Sequence, residues 1–361
     1  MNTQGNKNFN LMKFISHNSV PMLFIFLCLG GFAASGQSAV FVFNEIVVRL
    51  ARNLFLVLAL IIPVIAGMGL NFAIVIGAMA GQIGLIFIKV ADIGGIGGFL
   101  VATLVAIPFA LLFGIGTGKI LNKTKGKEMI TSLILGFFAN GLYQLVFLLF
   151  MGTLIPVKNP EIILSSGIGL KNALDLKFMQ YAIDNIVKIR FMGIVIPVVP
   201  LILIVVLCIF IIFIVKTKLG QDFRALGQDL HVAKIAGINT DKVRIIAMCI
   251  STLLAAWGQI IFIQNIGTLN TYVSHENVGM FAIAALLIGG ASVTKASISN
   301  AIIGTILFHT LFIVSPNAGK NLFGDAQLGE YFRQFISYGV IAMSLVLHAW
   351  QKHMSAKDRL Q

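Results

Sequence analysis

The chain of 361 residues has little charge, since Asp, Glu, Lys and Arg together make up 11% of it. An ordinary soluble domain has about 25% charged residues. Hydrophobic residues account for 58% of the chain, and its mean hydropathy is +0.96. The composition excludes an ordinary soluble protein. It predicts a single transmembrane domain over residues 1–361, all-α and polytopic, embedded in the lipid bilayer.

Acidic residues are the scarcer charge, with 13 Asp and Glu against 26 Lys and Arg. Every acidic residue falls at the end of an apolar run or in a loop, so we expect no mid-membrane carboxylate of the kind that ion-coupled carriers use. A net charge of +13 would fit a nucleic-acid partner in a soluble protein, but the cations here flank apolar runs. The positive-inside rule explains them, and no nucleic-acid partner is predicted.

Cysteine is rare, and no cofactor motif is complete. Cys28, Cys208 and Cys249 lie in apolar runs without the spacing of a disulfide framework or a metal site. The stretch Gly114–Lys119 lacks the first glycine of a phosphate-binding loop, and Ile120 follows where that loop has Ser or Thr. We therefore expect no cofactor, no metal site and no catalytic residue, so any ATP hydrolysis must take place in another subunit.

Small residues recur four positions apart in two apolar runs, at Gly77 with Gly81 and at Gly114 with Gly118. This spacing is typical of close packing between membrane helices.

Long apolar runs are what the chain does have. About ten of them reach or approach membrane length. They are Pro21–Ser35, Leu54–Gly69, Asn71–Val90, Gly98–Leu121, Met129–Met151, Met192–Val215, Val243–Ile263, Gly279–Gly290, Ile298–Ser315 and Phe332–Trp350. The run from Gly279 is only roughly 18 Å long as a helix, so we expect some helices to be short or broken inside the bundle.

Basic segments set the predicted orientation. They precede the first run at Lys7 and Lys13, follow the fourth and sixth runs, and follow the tenth, so both termini are predicted to be cytoplasmic. We expect the first run to be retained as a signal anchor rather than cleaved. This topology leaves Arg49 and Arg52 in an outer loop, where they fit the rule poorly.

Residues 152–191 form the predicted external segment. One helical stripe in it is apolar, which predicts an amphipathic helix on the outer face, either a structural lid or a landing surface for a soluble partner. The stripe consists of Leu174, Phe178, Ala182, Ile186 and Ile189.

The basic segment 216–244 has helix punctuation of its own. Phe223 and Leu226 share one face, Gly227 interrupts the turn, Asp229 can cap a second turn, and Gly237 can end it in a left-handed conformation. We interpret the segment as a folded docking element on the cytoplasmic side, with Phe223 and Leu226 as apolar anchors. The alternative is an ordinary solvated loop whose charges only fix the topology.

This segment resembles the cytoplasmic coupling loop in permease subunits of bacterial ABC importers for simple sugars and nucleosides. The resemblance lies in Thr217, Gly220, Arg224, Ala225, Gly227, Ala233, Gly237 and Ile238, and it continues into Leu253–Gly258 and Ala282–Gly290. It implies a fold of about ten helices like that of the vitamin B12 importer (type II) in the bacterial inner membrane. It also implies coupling to an ATPase through Gly220, Phe223, Arg224, Ala225, Gly227, Ala233 and Gly237.

The same resemblance implies the partners: cytoplasmic ATP-binding subunits, an extracytoplasmic substrate-binding protein, and a second permease that is either another copy or a paralogue. After Gly290 the family carries further glycines, whereas this chain has the polar stretch Ala291–Asn300. Asn71 likewise stands where sugar permeases often carry an acidic residue. The exact solute is left open.

Polar side chains within the apolar runs are the candidate substrate pathway, because an unsatisfied polar group is costly in a membrane. They are Asn71, Gln82, Asn140, Tyr143, Gln144, Gln259 and Asn300, with Gln264 as a further member. Each can alternatively form a helix-to-helix hydrogen bond. His309 and Trp257 are expected to be packing residues. Uncharged amides favour a small neutral solute such as a sugar or nucleoside; the alternative function is a secondary carrier or channel that needs no ATPase.

Overall fold

The structure, a computed structural model, describes residues 19–157 and 159–358. Its helices are α1 (Ser19–Ser35), α2 (Ala39–Leu58), α3 (Ile61–Ile65), α4 (Ile74–Ala91), α5 (Gly95–Lys123), α6 (Glu128–Leu145), α7 (Val198–Lys216), α8 (Lys218–Gln228), α9 (Leu230–Ile235), α10 (Thr240–Ile266), α11 (Ser274–Ile288), α12 (Ile298–Phe323) and α13 (Ala326–Asp358). A π-helical turn, Val146–Phe150, continues α6. Lys7 and Lys13, on which the predicted orientation partly rests, lie outside the described residues.

Seven helical stretches in the described part are long and apolar enough to cross a membrane. They are Ala39–Ile65, Ile74–Ala91, Gly95–Lys123, Glu128–Phe150, Val198–Lys216, Thr240–Ile266 and Ile298–Phe323. The shorter apolar helices α1 and α11, together with α13, occupy the positions of the other predicted runs. An all-α polytopic membrane protein is therefore confirmed.

The second span begins earlier than predicted, and Arg49 and Arg52 lie inside it. The Ser38 hydroxyl accepts a hydrogen bond from the Phe41 backbone N–H and starts α2 well before Leu54. Arg49 pairs with Glu45 one turn away, and the Arg52 guanidinium donates to Oδ1 of Asn265 at 3.0 Å. The prediction of an outer loop was wrong because partners on and beside the helix allow it to carry these cations.

Helix α10 lies at the centre of one packing group, against α2, α4 and α5. Glycines allow this close approach. A Cβ on Gly77 would lie 2.7 Å from the Cβ of Ala255, and a Cβ on Gly114 would lie 2.7 Å from the Cα of Cys249. The predicted use of small residues for close helix packing is confirmed. A second group forms around α12, which packs against α1, α2, α11 and α13.

The external segment is not an amphipathic helix. It contains strand β1 (Ala173–Asp175), a 3₁₀ turn (Lys177–Met179) and strand β2 (Lys188–Phe191), which forms a hairpin with β3 (Ile194–Pro197). Strand β1 pairs with a distant strand, β4 (Thr268–Asn270). Of the supposed apolar stripe, Leu174 is buried, whereas Ile186 and Ile189 are exposed. Pairing with residues far along the chain overrides the local helical period.

Polar contacts also fasten the external segment to the helices. The buried Asp184 carboxylate accepts hydrogen bonds from Nε2 of Gln264 at 2.7 Å and from Nδ2 of Asn265 at 2.6 Å, both at the outer end of α10. On the exposed side, the Lys177 backbone N–H donates to Asp175 and lowers the pKa of that carboxyl group. The segment is therefore a folded cap on the C-terminal end of α10.

Candidate functional site

Helix α11 begins deep in the membrane rather than at its surface. The Ser274 hydroxyl at its start accepts a hydrogen bond from Nε2 of Gln259, which precedes the end of α10 at Ile266 by seven residues. His275 meets Gln82, which precedes the end of α4 at Ala91 by nine residues. At about 1.5 Å per residue, the start of α11 lies roughly 10 to 14 Å inside the C-terminal ends of α10 and α4. In a hydrocarbon layer of about 30 Å, that is near the middle.

Gln82, from α4, is fully buried and lies against His275. Its hydrogen-bond partners assign the orientation of its amide. With the nitrogen facing His275, the amide donates to Nδ1 of His275 at 2.9 Å and to the Tyr143 hydroxyl at 2.7 Å. Its oxygen then accepts from the His275 backbone N–H at 3.3 Å. Gln82 thereby joins α4, α6 and α11 at one point.

The hydrogen bonds continue in one direction from His275. Because Nδ1 of His275 accepts, Nε2 carries the proton of the neutral imidazole and donates to Oδ1 of Asn140 at 2.9 Å. Nδ2 of Asn140 in turn donates to Oε1 of Glu276. We call Gln82, His275, Asn140 and Glu276 the His275 chain. It is a buried polar connection that ends on a carboxylate.

Aromatic rings support the His275 chain. The Tyr143 ring lies 4.9 Å from the His275 ring and 4.4 Å from the Phe147 ring, measured between centroids. Tyr143 and Phe147 are one turn apart at the end of α6, and both are buried. The Tyr143 ring limits the orientations of the His275 imidazole, and hydrogen bonds hold both of its ring nitrogens.

The structure brings Gln82, Asn140 and Tyr143 together among the candidate pathway residues, and Gln259 joins them through Ser274. Gln144 follows Tyr143 and is half-buried. The other candidates lie elsewhere: Asn71 donates to Ser251, Asn300 to the Gly289 carbonyl oxygen and Gln264 to Asp184.

Sequence reasoning missed His275 and Glu276. The apolar run was expected to begin at Gly279, which assigns both residues to a loop outside the membrane. Their depth depends on Gln82 and Asn140, which are 193 and 135 residues away from His275 in the chain. A usable signal exists, since both residues directly precede a run too short to span the membrane.

A polar surface continues from the His275 chain to the outside of the subunit. Asn140 and Gln144 of α6, with Glu276 of α11, are half-buried, and Asn277 of α11 is exposed. The surface around them is apolar, with Phe137 and Leu142 exposed on α6. Polar side chains at membrane depth face a protein interface or a water-filled cavity rather than lipid. This patch of α6 and α11 is therefore not a lipid-facing surface.

Segment 216–244, expected on the cytoplasmic side, has the helix punctuation that its sequence indicates. Helix α8 ends at Gln228, and the Asp229 carboxylate caps α9 by accepting from the backbone N–H groups of His231 and Val232 at 2.7 and 3.1 Å. Gly237 has a φ of +82° and ends that turn. The prediction of two short helical turns is confirmed.

The two residues expected as docking anchors are instead inside the subunit. Phe223 and Leu226 have exposed fractions of 0% and 3%, because α8 packs against α7, α3 and α10. The anchor assignment was wrong, since one apolar face cannot serve both the subunit core and a partner. The exposed apolar residues of the segment are Val232 at 60% and Ile235 at 75%, both on α9. Arg224, His231 and Lys234 are exposed around them.

The remaining coupling-loop residues of the resemblance are used within the fold. Gly220 packs against the last turn of α7 at Ile214 and Val215, and Ala233 is buried. Ala225 is half-buried. Gly227 lies against the Ile65 carbonyl oxygen at the end of α3 and against Gly67 in the link between α3 and α4. The loop is thus in backbone contact with the link that precedes α4.

Arg244 ends the predicted loop but lies in the first turns of α10. It is buried, and it donates to Oε1 of Glu128 at 2.8 Å, to Oδ1 of Asn122 at 2.9 Å and to the Leu121 carbonyl oxygen at 3.1 Å. Arg244 therefore binds the inner ends of α5, α6 and α10 together.

A profile of the family described as branched-chain amino acid transport system / permease component matches residues 42–347. The chain is 31% identical over 133 residues to the autoinducer 2 import system permease protein LsrC of Photorhabdus luminescens, which covers 37% of this chain and 38% of that protein. It is 28% identical over 135 residues to the high-affinity branched-chain amino acid transport system permease protein LivH of Salmonella typhimurium, covering 37% and 39%.

The chain thus spans less than two fifths of the length of these curated relatives. No solved structure matches. The family profile covers most of the chain, and it agrees with the predicted resemblance to importer permeases and with a transport subunit that is not an enzyme. The chain belongs to the family of permease components of branched-chain amino acid transport systems.

Proposed function

We propose that the chain is the transmembrane permease subunit of an ATP-driven importer and forms the pathway for a small neutral solute, a simple sugar or a nucleoside. The observation that carries this proposal is the polar patch of α6 and α11 at mid-membrane depth. Lipid does not solvate amides and a carboxylate, so the patch needs water, a solute or a second permease in front of it. A pathway between two permease subunits supplies all three.

The solute class rests on the chemistry of this patch. Asn140, Gln144 and Asn277 offer amides, which both donate and accept hydrogen bonds, as sugar hydroxyls do. His275 is neutral in the hydrogen-bond arrangement of its chain. The name of the LsrC relative, an autoinducer 2 import system permease protein, does not name an amino acid and is compatible with this class.

For energy coupling we propose that α9 docks on a cytoplasmic ATP-binding subunit. Val232 and Ile235 are its apolar contacts, and Arg224 and Lys234 are its charged rim. Force applied there reaches Gly227, which touches the link before α4. Helix α4 then carries it to Gln82 and the His275 chain. Gly220, Phe223, Ala225, Ala233 and Gly237 support this route by holding the loop in shape.

The finer architecture belongs to the same proposal. We propose ten spans in the arrangement of the vitamin B12 importer, with both termini in the cytoplasm. The partners in the same proposal are a second permease, either another copy or a paralogue, and an extracytoplasmic binding protein. The folded external segment provides an outer surface for the binding protein. Membership of the permease family argues against the alternative of a secondary carrier or channel, which needs no docking element for an ATPase.

A second candidate solute is an amino acid, and one specific observation favours it. Arg52 is a cation inside the span of α2, where its guanidinium donates to Asn265 and lies 5.7 Å from the centre of the Phe262 ring. Its Nε is buried and has no hydrogen-bond partner among the residues that the structure describes. Cations within a membrane span often mark the path of a charged group. A solute carboxylate would be such a group, as the name of the LivH relative indicates for that protein.

Purification and uptake test the proposal. The permease is co-expressed with its chromosomal neighbours, purified through a tag on the permease, and reconstituted in liposomes with ATP inside. We expect an ATP-binding subunit to copurify, and labelled ribose or adenosine to accumulate only with ATP. Uptake without any ATP-binding subunit would refute the importer. Uptake of leucine, abolished by Arg52→Gln, would establish the second candidate instead.

A further inference from the structure

We propose that Glu276 is the specificity-determining residue of the pathway and that it recognises two neighbouring hydroxyl groups of the solute, as in ribose or the ribose of a nucleoside. The inference rests on the proposed import function. It assigns a solute-binding role to a carboxylate at the start of α11.

The position of Glu276 is the first support. It follows the buried His275 and precedes the exposed Asn277, so it lies at the edge of the polar patch, half-buried and close to mid-membrane. In the described part of the chain, no Lys or Arg pairs with it. A carboxylate at this depth without a cationic partner is costly unless something else donates hydrogen bonds to it.

The unused acceptor capacity is the second support. A carboxylate has about four lone-pair sites. Asn140 supplies one donor, to Oε1. Within the part of the chain that the structure describes, Oε2 has no hydrogen-bond partner, so it can accept from a solute, and Oε1 keeps one further lone-pair site. Two adjacent hydroxyls match a carboxylate because each O–H can donate to one oxygen, and such charge-assisted hydrogen bonds are strong.

The third support is the rigidity of the chain behind Glu276. Asn140 must present its nitrogen to Glu276, because its oxygen accepts from Nε2 of His275. His275 is in turn held by Gln82 and by the Tyr143 ring. The carboxylate is therefore fixed before the solute arrives, which lowers the cost of ordering the site on binding.

Amides on the same surface favour hydroxyls over an ammonium group. Gln144 and Asn277 can donate to hydroxyl oxygens and accept from hydroxyl hydrogens. An ammonium group has only donors, so it offers no acceptor to the N–H groups of these amides.

The test uses the complete importer in proteoliposomes, with the same binding protein throughout. Four labelled probes form two pairs: methyl ribofuranoside with methyl 2-deoxyribofuranoside, and adenosine with 2′-deoxyadenosine. Each ring is locked as a furanose, so each deoxy probe lacks a pair of neighbouring hydroxyls. The maximal uptake rate is measured for the unaltered permease, for Glu276→Gln, and for Asp92→Asn as a control. Asp92 is an exposed carboxylate directly after α4. The preference for the diol over the deoxy probe is compared between permeases, so any preference of the binding protein cancels.

We expect the unaltered and Asp92→Asn permeases to prefer the diol probes, and Glu276→Gln to lose about tenfold to a hundredfold of that preference, the worth of a hydrogen bond to a charged group. An unchanged preference in an assembled Glu276→Gln complex overturns the inference. If Glu276→Gln does not assemble, Glu276→Asp is measured instead, because it keeps the charge but shortens the side chain by one methylene. An unchanged diol preference in Glu276→Asp also overturns the inference. If the unaltered importer takes up leucine and none of the four probes, the proposed solute class fails and this inference fails with it.

Discussion

Gly67 and Gly227 lie backbone against backbone, so that a Cβ on Gly67 would be 2.7 Å from the Cα of Gly227. Gly67 belongs to the link between α3 and α4, and Gly227 to the cytoplasmic loop. The link has unusual backbone of its own, since Gly67 and Gly69 have φ values of +72° and +71°. Close contact between two glycines leaves no flexible side chain to absorb movement. A displacement of the loop is therefore expected to displace the link that leads into α4.

Gly227→Ala is expected to weaken this contact. Its Cβ would collide with the Ile65 carbonyl oxygen, and such overpacking costs about 1–3 kcal/mol. We expect ATPase stimulation by the binding protein and uptake to fall together. Gly116→Ala is the control, because a Cβ there meets nothing within 4 Å. Normal ATPase stimulation in Gly227→Ala would show that the contact does not transmit force.

Ile235→Asp and Leu226→Ala should separate docking from stability. Ile235 is exposed, so we expect Ile235→Asp to change the free energy of unfolding by no more than about 0.5 kcal/mol while the ATP-binding subunit no longer copurifies. Leu226 is buried, and truncating it should cost about 2–5 kcal/mol. Unfolding in detergent and copurification measure the two effects. Retention of the ATP-binding subunit by Ile235→Asp would remove α9 from the docking surface.

Arg244→Met should be the most destabilising single change at the inner helix ends. Removing one partner of a buried ion pair costs about 3–5 kcal/mol, because the other charge is left unpaired. Here that charge is Glu128, which is 2.8 Å from Arg244. Lys125→Met is the matched control, since its partner Asp241 is largely exposed and the pair is worth about 0–1 kcal/mol. Equal effects of the two substitutions on unfolding would contradict the role given to Arg244.

Asn140→Asp tests the direction of the His275 chain. The substitution replaces the donor facing Glu276 by a second carboxylate, and two adjacent carboxylates cannot both ionise readily. We expect uptake to be lost at neutral pH and to recover in part as the pH falls, when the pair holds one proton between its two groups. The pH profile of uptake, compared with that of the unaltered permease, measures this. A uniformly low rate at every pH would indicate misfolding rather than repulsion.

Local sequence features predicted the parts of the fold that depend on local physics. Run length and hydropathy placed the apolar helices, and Asp229 and Gly237 marked the ends of α9 because capping involves only neighbouring residues. The start of α2 was not predicted because Arg49 and Arg52 lower the mean hydropathy of that part of the chain. The oxygen that accepts the hydrogen bond from Arg52 belongs to Asn265, which is 213 residues away in the chain.

The candidate site was predictable only in its members, not in its assembly. Gln82, Asn140 and Tyr143 were identified because polar residues in apolar runs are unusual. Their meeting point at His275 depends on where α11 begins, and tertiary contacts fix that. The prediction of a helix in the external segment was wrong for the same reason. Strand β1 pairs with a strand that lies almost 100 residues later, Ala173 with Asn270.

The pairing of β1 with β4 also has a mechanical side. Beyond the strands, the Thr271 backbone N–H donates to the Asn172 carbonyl oxygen at 2.7 Å, so the chain entering α11 is tied to the outer cap. At the other end, Nδ2 of Asn300 holds the Gly289 carbonyl oxygen at 2.7 Å. Helix α11 is thus held by hydrogen bonds near both of its ends. In the neighbouring stretch Glu128–Phe150, only 17% of the residues of an 18-residue apolar window are buried within the subunit. We expect α11 to keep its place when the pathway opens, while α4 and α6 shift against it at the His275 chain.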